Sequence, residues 1–274
     1  MATDGEVLLR DGDAAASILP RRGGMATRFA VGGRELFYLD EATLGDPAKN
    51  VRGGAPVLFP SPGKLAGDAF LRDGRGGRMG QHGFARNREW AVVERSAGAV
   101  RLRIEDDEAS RAAYPFRFRC ELSYSLVGNA LRIESRVACT GDSPMPFGFG
   151  FHPYFLVPEA EKATARIPTK ATRAFDNATK RVVEYVPPAL GGGEVDLHLL
   201  DHGGSSAELR WASGAVSLRG SPEYATWVIW TLPARDFVCL EPWTCPGNAL
   251  NTGEALLFVA PGEERTLWLE IAAG

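Results

Sequence analysis

Two histidines and one glutamate stand out in this chain for what surrounds them. His82 lies in Gln81-His82-Gly83-Phe84-Ala85-Arg86-Asn87, His152 in Phe151-His152-Pro153-Tyr154-Phe155, and Glu241 in Cys239-Leu240-Glu241-Pro242-Trp243. Imidazole is the side chain whose ordinary pKa lies nearest neutrality. A carboxylate that emerges from a buried apolar run among aromatic rings is desolvated, and its pKa climbs toward the same range. One such carboxylate with one or two imidazoles suits general acid and base work on hydroxyl or ring oxygens. The competing readings are a glutamate held by a structural arginine and histidines satisfied in the core or in turns.

Other chemistries find less support. The spacings of His, Cys and carboxylates are long and dispersed, so no metal site is read. There is no Gly-x-Ser-x-Gly nucleophile elbow, no dinucleotide fingerprint after a strand and no phosphate loop. His198 and His202, in Leu197-His198-Leu199-Leu200-Asp201-His202, read as surface or turn residues. The stretch 51–90 carries Arg52, Lys64, Arg75, Arg78, Arg86 and Arg88, a basic group able to grip a phosphate or simply to face water. Most of the aromatic residues near these motifs read as core, and Trp243 and Phe149 are the best candidates to face a cleft.

The elements that must position these groups are short strands. The 274 residues are 45% hydrophobic and 24% charged, enough to bury a sizeable core. Apolar and polar residues alternate at Phe118, Cys120, Leu122, Tyr124 and Leu126, a Gly128-Asn129 turn follows, and alternation resumes at Leu131, Ile133, Val137 and Cys139. Further hairpins are expected around Gly32-Gly33, Ala97-Gly98, Ser213-Gly214 and Pro261-Gly262. Residues 106–113 and 158–166 can form at most one or two helical turns. With no alternation of strand and helix, the expectation is an all-β chain, a large antiparallel β-sandwich, in one domain over residues 1–274. For the Gly- and Arg-rich stretch from Leu71 to Gly80 a mobile lid is a hypothesis only, resting on Gly74, Gly76, Gly77 and Gly80, and the sequence does not decide it.

Net charge is −3, so no global positive field exists to hold nucleic acid or an anionic membrane surface, and neither partner is expected. The start of the chain shows no basic and apolar leader, and no run of about 18 apolar residues occurs, so a cytoplasmic protein is expected. Cys120, Cys139, Cys239 and Cys245 lack metal or disulfide spacing and read as buried thiols.

The chemistry-bearing segments resemble the aldose 1-epimerase (mutarotase) family, and within it a branch similar to the hexose-6-phosphate mutarotases. The matching pieces are Arg52-Gly53-Gly54, Gln81 to Asn87, Tyr114-Pro115-Phe116, His152 to Phe155 and Cys239 to Trp243, in order along most of the chain. The resemblance implies a galactose mutarotase-like supersandwich with a cleft across one sheet. It implies that Glu241 takes the anomeric proton and that His152 protonates the ring oxygen. His82, Arg52 and Asp196, with Asp201 as the alternative aspartate, match substrate contacts; Arg86 and Trp243 complete the expected binding set, with no cofactor and no metal.

The expected substrate is thus a small-molecule sugar or sugar phosphate, and the expected assembly a monomer or weak homodimer. A noncatalytic carbohydrate-binding module on the same fold is the alternative, although binding alone has no use for an acid and base pair. A glycosidase built on Glu241 and Asp196 would leave the His152 imidazole without a natural place.

Overall fold

A computed structural model describes residues 5–274. The beginning of the chain, read above for a leader, includes residues 1–4, which lie outside the described residues. Two large antiparallel sheets dominate. One runs Ser206–Trp211, Gly214–Gly220, Glu264–Ala273, Ala130–Cys139, Phe118–Val127, Ala99–Glu105 and Ala91–Arg95. The other runs Arg181–Glu184, Arg173–Asp176, Val195–Leu199, Thr226–Thr231, Phe237–Trp243, Gly150–Phe151 and Val57–Leu58, with Tyr154–Leu156 also paired to Phe237–Trp243. A four-stranded sheet, Val7–Asp11, Ala14–Leu19, Met25–Val31 and Arg34–Glu35, is added at the chain's beginning.

The strongest period-two segment forms as its pattern requires. Phe118–Val127 pairs with Ala130–Cys139 residue for residue around Gly128, which takes φ 59° in the turn. Phe118, Cys120, Leu122, Tyr124 and Leu126 all face inward and are buried. They join Ile229, Leu240 and Phe151 of the second sheet in one hydrophobic cluster, which makes the two sheets the halves of a sandwich. All four cysteines are buried free thiols.

Two expectations need correction, and the open question of a lid gains a structural description. Leu257–Val259 does not form a hairpin with the last strand; it pairs with Met145–Phe147, because both edges of Glu264–Ala273 are taken by Ala130–Cys139 and Gly214–Gly220. Phe149 is fully buried against Phe59 and Phe151 in the core, not in a cleft. The supposed lid is a short hairpin, Ala69–Arg72 with Arg75–Arg78, fastened by Asn251, whose side chain accepts from the Leu71 amide and donates to the Ala69 carbonyl. Gly77 is pressed so closely on the helix Glu108–Ala113 that a Cβ there would meet the Ala113 carbonyl oxygen at 2.0 Å. That is a docked element, and its residues do not line the cleft described next.

Candidate active site

The second sheet turns one face into a cleft. Cross-strand register sets two rows of side chains on that face: Phe175, His198, Val228 and Glu241 in one, Asp196, Trp230, Cys239 and Tyr154 in the next. Residues two apart on a strand point the same way, so Asp196 with His198, and Glu241 with Trp243, face the cleft together. The cavity over this face measures about 1050 Å³. Arg52, His82, Arg86, His152, Asp196, Glu241 and Trp243 all line it, so these seven expected residues are brought to one place, and Phe149 is not.

Glu241 and His152 form the floor. Glu241 is 1% exposed, and its Oε1 lies 3.3 Å from His152 Nε2. The Trp243 indole Nε1–H donates to the other carboxyl oxygen, Oε2, at 3.1 Å. Burial pushes the Glu241 carboxyl well above the usual range, and the charge of Asp196 adds to this, while Trp243 and Arg86 oppose it. Burial, with the Arg86 charge next, pulls His152 down to about 3. The His152 ring stacks on Tyr154 with centroids 4.7 Å apart. Two groups whose environments push them from opposite sides toward sharing one proton can exchange it with a bound molecule in either direction.

His82 is held differently. Its backbone sits at φ 71°, and its Nδ1 accepts from the Gly63 amide at 3.0 Å. The hydrogen of the neutral ring is therefore on Nε2, which makes His82 a donor. Burial, reinforced by the charges of His152 and Arg86, keeps its pKa well below the ordinary value.

The cations reach the cleft from two loops. Arg52 is carried by a tight segment in which Gly53 takes φ 142° and a Cβ would meet Leu39 Cα at 2.5 Å, so the arginine can sit there only because glycine follows it. Arg86 donates from Nη2 to the Gln81 carbonyl at 2.8 Å, while its buried Nε has no partner. Neither arginine makes an ion pair among the described residues, whereas Arg88 is paired with Asp107 and Arg75 with Asp142. Of the basic stretch, only Arg52, Lys64 and Arg86 line the cavity.

On the far wall Asp196 is held by the Asn177 side-chain amide at 2.7 Å and faces His198 Nε2 at 3.4 Å. Burial alone would raise its pKa, but His198 and Asn177 bring it below the usual carboxylate value. Asp201, the alternative, is spent on a turn, accepting from the Thr172 and Arg173 amides outside the cavity. His202 is likewise a turn residue, bonded to Thr169 and Ser206. His198 is not: it is 8% exposed, lines the cavity and meets Trp243 edge-on at 5.1 Å. Sequence reasoning missed it and Asn177, although the two-residue spacing from Asp196 was the available signal. Cys239 brings a thiol within 4.8 Å of the ligand atoms of His152 and Glu241. Burial, with Glu241 next, keeps that thiol protonated and so a poor metal ligand.

The family model described as aldose 1-epimerase matches residues 6–272. The chain belongs to the aldose 1-epimerase family. As a member it is an enzyme of the isomerase class, acting on sugars. A relative from Cenchrus ciliaris, named provisionally as a glucose-6-phosphate 1-epimerase, is 26% identical over 268 residues, covering 85% of this chain and 73% of the relative. Protein LacX from Lactococcus lactis subsp. lactis is 25% identical over 237 residues, with 74% of this chain and 78% of the relative covered. Among solved structures, the Slr1438 protein of Synechocystis sp. PCC 6803 superposes with a TM-score of 0.94 at 36% identity, over 98% of this chain and 95% of that one. An Escherichia coli K12 protein described provisionally as an aldose 1-epimerase gives 0.83 at 20% identity, with 98% of each chain covered, and shows that the fold is shared. No helix among the described residues is long and apolar enough to cross a membrane.

Proposed function

We propose that this epimerase is a mutarotase that interconverts the α and β anomers of an aldohexose or its 6-phosphate. The observation that carries the reading is the 3.3 Å contact between His152 and Glu241 at the floor of a cavity large enough for such a sugar. In the ring-opening direction Glu241, as carboxylate, takes the proton from the anomeric hydroxyl O1. His152, as imidazolium, delivers a proton to the ring oxygen O5, and the C1–O5 bond opens to the aldehyde. Rotation about C1–C2 presents the other carbonyl face; closure then returns each proton by the reverse route. Nothing in this scheme calls for a cofactor.

The proton inventory supports it. Neutral Glu241 with neutral His152, and ionised Glu241 with protonated His152, contain the same number of protons. They differ by one transfer across the 3.3 Å contact. Burial, with Arg86 next, disfavours the charged imidazole and Asp196 favours it, so the neutral pair is the resting form and the charged pair is reached from it by that one transfer. His82 offers its Nε2–H to a sugar oxygen, Asp196 accepts from sugar hydroxyls, and Trp243 gives its face to the ring as well as its N–H to Glu241.

Arg52 and Arg86, free of carboxylate partners among the described residues, favour a phosphorylated substrate, since a planar guanidinium can bind phosphate bidentately. The test is saturation transfer between anomers of glucose, galactose and their 6-phosphates. Exchange above the spontaneous rate supports the reading, with the 6-phosphates fastest. No exchange on any of the four contradicts it.

A further inference from the structure

The Glu241 and Asp196 carboxylates stand on different strands of the cleft, and a continuous set of side chains runs between them. At one end Lys180 Nζ donates to Asn177 Oδ1 at 2.5 Å. Asn177 Nδ2 donates to Asp196 Oδ2 at 2.7 Å, and the Asn177 amide also donates to the Asp196 carbonyl. Asp196 Oδ1 faces His198 Nε2 at 3.4 Å. The His198 ring then meets the Trp243 indole at 5.1 Å and 78°, and Phe175 closes its other side at 5.8 Å. The Trp243 Nε1–H ends the run on Glu241 Oε2.

Geometry explains why a histidine serves there. His198 and Glu241 share a cross-strand row with only Val228 between them. Val228 is small and packs with Leu58 and Trp243 in a separate buried cluster, leaving the indole edge to be reached by a flat ring from the next strand. An imidazole in that place can do two things at once. Its edge directs a donor at Asp196, and its body braces the indole that orients Glu241.

We propose that His198 is a positioning residue which fixes the separation of the sugar-holding and proton-transferring carboxylates, acting on Asp196 through Nε2 and on Glu241 through Trp243. This assignment rests on the mutarotase reading for its kinetic consequences but not for its structural one. The two functions of the ring are separable by substitution. Phenylalanine keeps the body and removes the donor, glutamine keeps a donor and removes the ring, and alanine removes both.

The test compares His198→Phe, His198→Gln and His198→Ala by anomer-exchange kinetics and by the Trp243 indole N–H resonance in solution NMR, identified by its loss in Trp243→Phe. His198→Phe is expected to raise KM about 10-fold with kcat within about 3-fold, the size expected for losing one hydrogen bond to a charged group. His198→Gln is expected to recover most of that KM while kcat falls, and His198→Ala to lose in both. The indole resonance is expected to move in His198→Ala and His198→Gln, and to stay near its original position in His198→Phe. An unmoved resonance in His198→Ala overturns the proposal, whether or not the enzyme exchanges anomers. So do three variants with the same KM and kcat as the unsubstituted protein. Absence of exchange in the unsubstituted protein contradicts the mutarotase reading alone, and the resonance then decides the positioning role.

Discussion

Gly63 and His82 are tied to each other twice. The Gly63 amide donates to His82 Nδ1 at 3.0 Å, and the His82 amide donates to the Gly63 carbonyl at 2.7 Å. These two hydrogen bonds hold His82 in a left-handed conformation, at φ 71°. They also fix which ring nitrogen carries the hydrogen. His82 is therefore expected to donate without titrating. His82→Gln, which keeps a donor, should leave the shape of the activity–pH profile unchanged, while His82→Ala should lower kcat/KM about 10-fold or more, the usual scale for one lost donor to a reacting substrate.

The same pairing makes Gly63 sensitive. It takes φ 71°, and a Cβ there would meet Gly247 Cα at 2.7 Å. Gly63→Ala should lower stability by about 1 to 3 kcal/mol, through strain and the displaced backbone. It should also reduce exchange, because the displaced backbone moves the amide that donates to Nδ1 and sets the His82 tautomer. Thermal unfolding and exchange rates of the one variant check both effects.

The Glu241 carboxyl gives a stability effect with a definite sign. Its folded pKa is raised by burial, so its contribution is fully present below the unfolded value of 4.5 and is lost as pH rises toward the folded value. Glu241→Gln keeps the shape without the ionisation. It should therefore match the unsubstituted protein near pH 4 and exceed it at pH 8, by about 1 kcal/mol or more, as expected when a buried charge is removed. His152 works the other way: lowered to about 3, it contributes stability above its ordinary 6.5 that is lost as pH falls between those values. Denaturant unfolding at several pH values separates the two.

Activity should follow the pair rather than either residue. Exchange needs one proton shared between Glu241 and His152, so kcat should fall at acid pH, where a second proton binds, and at alkaline pH, where the last one leaves. A profile with a single limb would argue that only one of the two groups takes part.

Arg86 offers a test of substrate class. Its Nε is buried and unpartnered, and it makes no ion pair among the described residues. If a 6-phosphate is the ligand, Arg86→Gln should raise KM for glucose 6-phosphate about 10-fold or more, on the scale of a charge-assisted contact, and change KM for glucose little. Equal effects on both sugars would remove the phosphate from the account.

Much of this arrangement was legible in the sequence because strand chemistry is local. The alternation in Phe118–Val127 and Ala130–Cys139, with Gly128-Asn129 between them, specifies both the hairpin and its register. The motif residues around His82, His152 and Glu241 were legible as anomalies, polar groups placed where the pattern called for apolar ones. What escaped depended on neighbours remote in sequence. His198 looked like a turn residue until Val195–Leu199 was seen to lie beside Thr226–Thr231, which turns its two-residue spacing from Asp196 into a shared face. Phe149 carried the right chemistry for a cleft, but burial against Phe59 is decided by another segment altogether. The hairpin expected at Pro261-Gly262 failed for a similar reason, since the last strand already had two partners.

The central claim, that Glu241 moves the anomeric proton, is tested most directly by saturation transfer on Glu241→Gln beside the unsubstituted protein, with sugar binding measured by calorimetry on both. The account predicts exchange reduced by about 10²- to 10⁴-fold, the range expected for losing a general base, with binding within a few-fold. Exchange within a few-fold of the unsubstituted rate, in a variant that still binds, would contradict it.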